Sequence, residues 1–201
     1  MKSLTARIFP AFFLFALWGT VLSHAAELKA DFCRGRVYYK QSVGQPFELN
    51  QGKIGLDRDI SILTFVDGQC FISNGDACEF RLKEDSLLFF QDTGHCEVRK
   101  GLVGIRAPGG SSIQIRTPHS FFQLEKGTVV IKVFSVLTRI CVVQGSILLK
   151  NPDCDQQAEI SAGQEIAAGN GMYSRRYQYT DELRYTWYWV DAVKEPGLRL
   201  E

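Results

Sequence analysis

Six cysteines carry most of the reactive chemistry in this chain: Cys33, Cys70, Cys78, Cys96, Cys141 and Cys154. Their spacing decides between metal binding, catalysis and cross-linking. A zinc site needs Cys or His ligands in close pairs, and no C-x-x-C occurs. His95 beside Cys96 comes nearest to a ligand pair, but adjacent residues on a strand point to opposite faces. An even count points instead to disulfides formed in an oxidising compartment. Cys70 and Cys78 flank an Asn74-Gly75 turn, and Cys141 and Cys154 flank a later one, so each is a candidate local pair. A two-residue hairpin centred on Asn74-Gly75 sets Cys70 against Glu79, so that bridge needs a bulge. Buried free thiols are the alternative.

Other constellations point away from catalysis. G-x-S-x-G is absent, and Ser120 beside His119 is a neighbour pair in sequence, which does not make a dyad. Asp57 with Asp59 and Glu84 with Asp85 sit in polar turns, where solvated carboxylates are expected rather than an acid–base pair. Gly101-Leu-Val-Gly-Ile and Gly109-Gly110 lack the spacing and the following helix of a phosphate loop. The densest basic–aromatic spot is Arg175-Arg176 among Tyr173, Tyr177 and Tyr179. Arg175 and Tyr177, with Tyr185, Trp187, Tyr188 and Trp189 downstream, form a candidate contact surface for a protein partner or a glycan. The expectation is a binding module, not an enzyme, with no cofactor and no metal.

The elements that must position these residues are short strands. Arg36–Tyr39, Ser61–Val66, Glu79–Leu82, Ser112–Arg116, Thr128–Val133, Arg139–Val143 and Ser146–Leu149 are rich in β-formers, and several alternate with period two. Asp67-Gly68, Asn74-Gly75, Gly109-Gly110 and Asn170-Gly171 separate them as turns. The chain is also self-similar: Gly35-Arg-Val-Tyr-Tyr, Gly101-Leu-Val-Gly-Ile and Gly145-Ser-Ile-Leu-Leu share a Gly-x-aliphatic start. The first and third run on as glycine, strand, turn, strand, glycine, to Gly52 and Gly163. Such units suggest an all-β domain built as a solenoid-like stack of short strands, with a β-sandwich as the alternative.

The two ends differ from this core. Lys2 and Arg7 precede an apolar stretch from Ile8 to Leu22, and small residues Ser23 and Ala25 lead to Ala26, the pattern of a secretory signal peptide over 1–26. The stretch is shorter than the roughly 20 residues of a membrane span, so cleavage and no stable membrane insertion are expected. At the other end, Thr180 caps a segment with Leu183, Trp187, Val190 and Lys194 at helical spacing, and Pro196-Gly197 stops it. This predicts one amphipathic helix over about 181–194, docked on the β-domain. The organisation expected is therefore a leader over 1–26, a β-domain over 27–170, and an aromatic loop and helix over 171–201. With 23 basic and 22 acidic residues the chain shows no basic excess, which argues against nucleic acid as a partner.

One stretch resembles a known family. Thr117-Pro118, then Lys126-Gly127-Thr128 into an apolar strand, then Gln144-Gly145 and the closing Ala162-Gly163-Gln164 follow the order of motifs in the FecR-like domain. Upstream, Asp67-Gly68 after an apolar strand and the glycine-led strand at Gly35 fit the same pattern, so the resemblance covers about 31–168. It implies a solenoid-like periplasmic β-domain that serves as an interaction module for another envelope protein; the family's role in signalling is not carried over with it. The structural positions it implies are Asp67, Gly68, Thr117, Pro118, Gly127, Thr128, Gly145 and Gly163. The expectation is a domain without the family's cytoplasmic anti-sigma segment, and Val129 stands where the family usually has an aromatic residue. The expectation is an exported, periplasmic interaction module, with wall glycan as the alternative ligand.

Overall fold

The computed structural model describes residues 27–50, 52–55, 59–75, 78–152, 154–169 and 171–178. The expected leader and the expected C-terminal helix lie outside them. Seventeen strands follow in order: β1 (Glu27–Arg34), β2 (Val37–Gln41), β3 (Phe47–Glu48), β4 (Gly52–Gly55), β5 (Ile60–Thr64) and β6 (Gln69–Asn74). Then come β7 (Cys78–Leu82), β8 (Leu87–Phe90), β9 (His95–Ala107), β10 (Ile113–Thr117), β11 (Ser120–Leu124) and β12 (Gly127–Val133). The last are β13 (Thr138–Lys150), β14 (Gln157–Ser161), β15 (Gln164–Gly169), β16 (Met172–Tyr173) and β17 (Tyr177–Gln178). The protein is all-β, and no helix occurs among the described residues.

Two sheets share two long, bent strands. The first runs β4-β1-β6-β7-β9-β12-β13-β15, with β16 and β17 beyond. The second runs β3-β2-β5-β8-β9-β10-β11-β13-β14. β9 enters the second sheet up to Lys100 and the first from Gly101; β13 leaves the first at Gly145 for the second. Both bends fall on glycines with left-handed backbone, Gly101 at φ 82° and Gly145 at φ 88°, where a side chain would be strained. At Gly101 a Cβ would also lie 2.5 Å from the Asp85 carbonyl oxygen, so backbone packing forbids it as well.

Five strands close on themselves: β9 pairs with β10 and β12, β10 with β11, and β13 with β11 and β12. The other strands extend this barrel as two facing layers. This differs from the expected coil stack. Stacked coils pair in parallel, whereas among the described residues only β9–β10 is parallel. The repeat nevertheless has a structural counterpart. The Gly35–Gly52 unit contains the β2–β3 hairpin, and the Gly145–Gly163 unit contains the β13–β14 hairpin. These hairpins form the two opposite ends of the second sheet.

Period-two patterning places one face of each strand inside. β5, β10 and β11 alternate buried and partly exposed residues along their lengths. Phe80 of the first sheet meets Phe90 of the second edge-to-face, 4.9 Å between ring centres. Around them lie Ile62, Ile72, Leu88, Ile105, Ile115, Phe122 and Ile131. Each such side chain contributes about 1.5–3 kcal/mol by leaving water. β12 is buried on both faces: Val129 and Ile131 enter this core, while Val130 and Cys141 form a second, smaller cluster with Leu102 and Val143.

Candidate interaction cleft

The barrel is incompletely zipped between β11 and β13. These strands pair at a single position, Phe121 opposite Lys150. At the other end of the gap, Gly127 of β12 sits opposite Gly145 of β13. Between these two closures the strands part, leaving a cavity of about 910 Å³.

Hairpin geometry fixes which backbone groups face the gap. The two-residue turn at Pro118-His119 makes Thr117–Ser120 a hydrogen-bonded pair, and with it Ile115–Phe122 and Ile113–Leu124. The backbone groups of Phe121 and Gln123 therefore point away from β10, towards β13. On β13, bonds from Asn151 N to Gln156 O and from Ala162 N to Gly145 O set the phase of the β13–β14 ladder. Ile147 and Leu149 bond across to β14, so Ser146, Leu148 and Lys150 turn their backbone groups towards β11. Phe121 and Lys150 use theirs on each other. Gln123, Ser146 and Leu148 present backbone donors and acceptors to the cleft without a ladder partner.

The side chains around the gap are mixed. Leu148 is 46% exposed, unusually so for a leucine on a barrel strand. Phe122 and Ile147 form an apolar floor. Glu125 and Glu159 balance Lys126 and Lys150, so the cleft carries no net charge. A smaller cavity of about 450 Å³ adjoins it on the outer face of the second sheet, sharing Phe121 and Lys150. There the Arg99 guanidinium lies 4.2 Å from the Phe89 ring centre and pairs with Glu97 at 2.9 Å.

The residues singled out from sequence fall in other places. Arg175 is exposed and lines a separate cavity of about 530 Å³ with Tyr173 and Arg176. Tyr177, 57% exposed, lies on β17 opposite Glu165. Burial, then the Cys154 thiol, pushes the Tyr173 hydroxyl up to about 12. Tyr185, Trp187, Tyr188 and Trp189 lie outside the described residues. The cleft was not foreseen, because no residue type marks it; its signal is the phase of two hairpin ladders.

The motif residues serve the turns. Thr117 Oγ1 accepts from His119 N at 3.2 Å and meets Ser120 Oγ at 2.8 Å, so Thr117-Pro118 builds the β10–β11 turn. His119 Nδ1 turns instead to Thr138 Oγ1, 3.0 Å away, so Ser120 and His119 do not meet. Asp67 pairs with Arg36 at 3.3 Å, and Gly68 packs where a Cβ would lie 2.2 Å from the Arg36 carbonyl oxygen. Thr128 pairs with Gln144 beside the cleft, and Gly163 N donates to Val142 O at 2.9 Å.

All six cysteines are thiols here. The two candidate local pairs do not form. Cys70 sits opposite Leu82 while Cys78 sits opposite Asn74, so the two stand at opposite ends of the β6–β7 ladder. Cys141 is buried opposite Glu165, whereas Cys154 is exposed with Sγ 3.4 Å from Gly171 O. Burial raises Cys78 to about 11, and burial with the Glu165 carboxylate raises Cys141 to about 12. His95 is exposed and contacts Asp92 at 2.8 Å, while Cys96 is buried in the core, on opposite faces as strand geometry requires.

No family model matches the chain, and no protein of curated function matches its sequence. Its fold is similar to two crystal structures, each of a putative anti-sigma factor from Parabacteroides distasonis. The first has a TM-score of 0.54 at 13% identity over 66% of this chain. The second has a TM-score of 0.52 at 13% identity over 65% of this chain. The match spans 64% of the length of each of those proteins. At this identity the likeness is one of fold.

Proposed function

We propose that this chain is an exported, non-catalytic protein-interaction module of the cell envelope. Its partner presents an extended segment to the cleft between β11 and β13. The observation that carries this reading is the set of backbone groups on Gln123, Ser146 and Leu148 that face one gap from both sides without a register partner across it. Strand addition uses such groups for affinity and neighbouring side-chain pockets for specificity. The cleft selects a segment of low net charge with an apolar residue turned towards Phe122 and Ile147.

Three further points support the envelope and signalling side of the reading. The motif order resembles the FecR-like domain. The fold is similar to proteins described as anti-sigma factors. The first 26 residues have the pattern of a leader.

The test is mild crosslinking of the purified chain in envelope extract, with Gln123→Pro run beside it. Proline removes one donor that faces the cleft and leaves the β10 ladder intact. The reading expects one dominant protein partner, lost with Gln123→Pro. Co-sedimentation with wall sacculi and no protein partner would replace it with the glycan reading.

A further inference from the structure

We propose that Cys33 and Cys70 are a redox pair that closes to a single cross-strand disulfide, the one bridge formed within the chain. Cys33 on β1 and Cys70 on β6 are direct register partners in an antiparallel ladder, and their sulfurs are 3.0 Å apart. Directly opposed residues of such a ladder have Cα atoms roughly 4.5–5.5 Å apart, inside the range a disulfide spans. The bond therefore needs a side-chain adjustment and no backbone movement.

None of the remaining thiols has a cysteine as its register partner: Cys78 and Cys96 are near enough to interact but face Asn74 and Phe90. Cys78 and Cys96 are buried in the main core, Cys141 lies in the small cluster with Val130, and Cys154 is exposed with its sulfur on the Gly171 carbonyl. The two partners of the proposed pair are unequal. Cys33 is half-buried and open to a reagent, whereas Cys70 is fully buried. The hydrogen bond with Cys33, then burial, also holds the Cys70 thiol well above its ordinary value.

Closure follows from this asymmetry with a small-molecule disulfide as oxidant. The Cys33 thiolate attacks the reagent's S–S bond, forming a mixed disulfide and expelling one thiolate. Cys70 then gives up its proton and attacks the Cys33 sulfur, expelling the second thiolate. The protein loses two protons and two electrons, and the reagent takes them up to become two thiols. The bond ties β1 to β6 and encloses β2 to β5, so it restrains the whole edge hairpin of the second sheet. None of this depends on what the β11–β13 cleft binds.

The test uses the full chain, purified reduced, equilibrated with oxidised glutathione, and mapped by mass spectrometry after alkylation in denaturant. The expected result is a Cys33–Cys70 linked peptide, with Cys78, Cys96 and Cys141 recovered as alkylated thiols. Loop closure predicts a melting temperature raised on the order of 5–10 °C. In Cys33→Ser the link and the oxidant-dependent rise both vanish, while in Cys154→Ser both persist. Recovery of Cys33 and Cys70 as thiols, a glutathione adduct left on Cys33, or a link through any other pair such as Cys70–Cys78 would overturn the proposal.

Discussion

Phe121 and Lys150 form the sole register pair between β11 and β13. That one pair holds the second sheet together across the seam, and everything between it and the Gly127–Gly145 pair is open. The barrel is thus closed in topology but not in hydrogen bonding, and the unclosed stretch is where a partner strand has bonds to make.

Amide exchange in the free protein should carry this phase. Gln123 and Leu148 should exchange fast, while Phe122, Ile147 and Leu149, whose amides bond within ladders, exchange slowly. Residue-resolved hydrogen exchange by NMR reads this directly. Uniform protection along β11 and β13 would mean that the seam is zipped.

Leu148 and Gln123 should be separable from stability. Leu148→Glu changes an exposed position and should alter unfolding free energy by about 0.5 kcal/mol or less. The same substitution should weaken partner binding at least about tenfold, since it replaces an apolar contact on the lip of the cleft with a charge that binding must desolvate. Denaturant melts and a binding titration check the two halves independently.

The corner at Gly101 should tolerate no side chain. An added Cβ would lie 2.3 Å from Ser86 Oγ and 2.5 Å from the Asp85 carbonyl oxygen, on a backbone with φ 82°. Gly101→Val should therefore cost about 3 kcal/mol or more, or leave the chain unable to fold. Gly110, also at positive φ but with open space around it, is the control: Gly110→Ala should cost only about 1 kcal/mol.

A buried polar knot fastens the same corner. Thr64 Oγ1 accepts from Ser86 N at 2.9 Å and donates to the Lys83 carbonyl, and Ser86 Oγ accepts from Leu102 N at 2.9 Å. Thr64→Val keeps the shape and strips both bonds, leaving buried groups unpaired. The expected loss is about 1–3 kcal/mol in a denaturant melt.

Alkaline pH should loosen the fold through its reduced thiols and one tyrosine. The folded-state values of Cys78, at about 11, and of Cys141 and Tyr173, at about 12, stand above the ordinary 9.0 and 10.0. Burial thus favours the neutral form, and this stability is complete below about pH 9 and is lost as pH climbs towards 12. Unfolding midpoints should hold constant up to that point and then fall. Cys78→Ala should flatten the early part of the fall; an unchanged slope would contradict burial as its cause.

Strand content was legible in the sequence because β-branched runs and Gly or Asn turns report locally on extended backbone. The Gly35, Gly101 and Gly145 repeat was legible too, since all three glycines take positive φ at bends. Its meaning was misread. Similar hairpins can stack in parallel or cap two ends of one antiparallel sheet, and only long-range register separates these. The Cys70–Cys78 bridge failed because no bulge brings the two together: Cys78 opens β7 opposite Asn74, and Cys70 lies at the far end of the same ladder, opposite Leu82. The Cys33–Cys70 contact joins strands far apart in sequence, and local spacing holds no trace of it. The cleft was invisible for the same reason, since it is made by the relative phase of two ladders.

The most direct measurement is site-specific photo-crosslinking from position 148 in producing cells, with the adduct mapped by mass spectrometry. Position 43 serves as the control, because Val43 is 88% exposed and lies on the β2–β3 connection. The account predicts one protein adduct from position 148, attached through an extended segment, abolished by Gln123→Pro and absent from position 43. Equal labelling from both positions, or a position-148 adduct indifferent to Gln123→Pro, would contradict it.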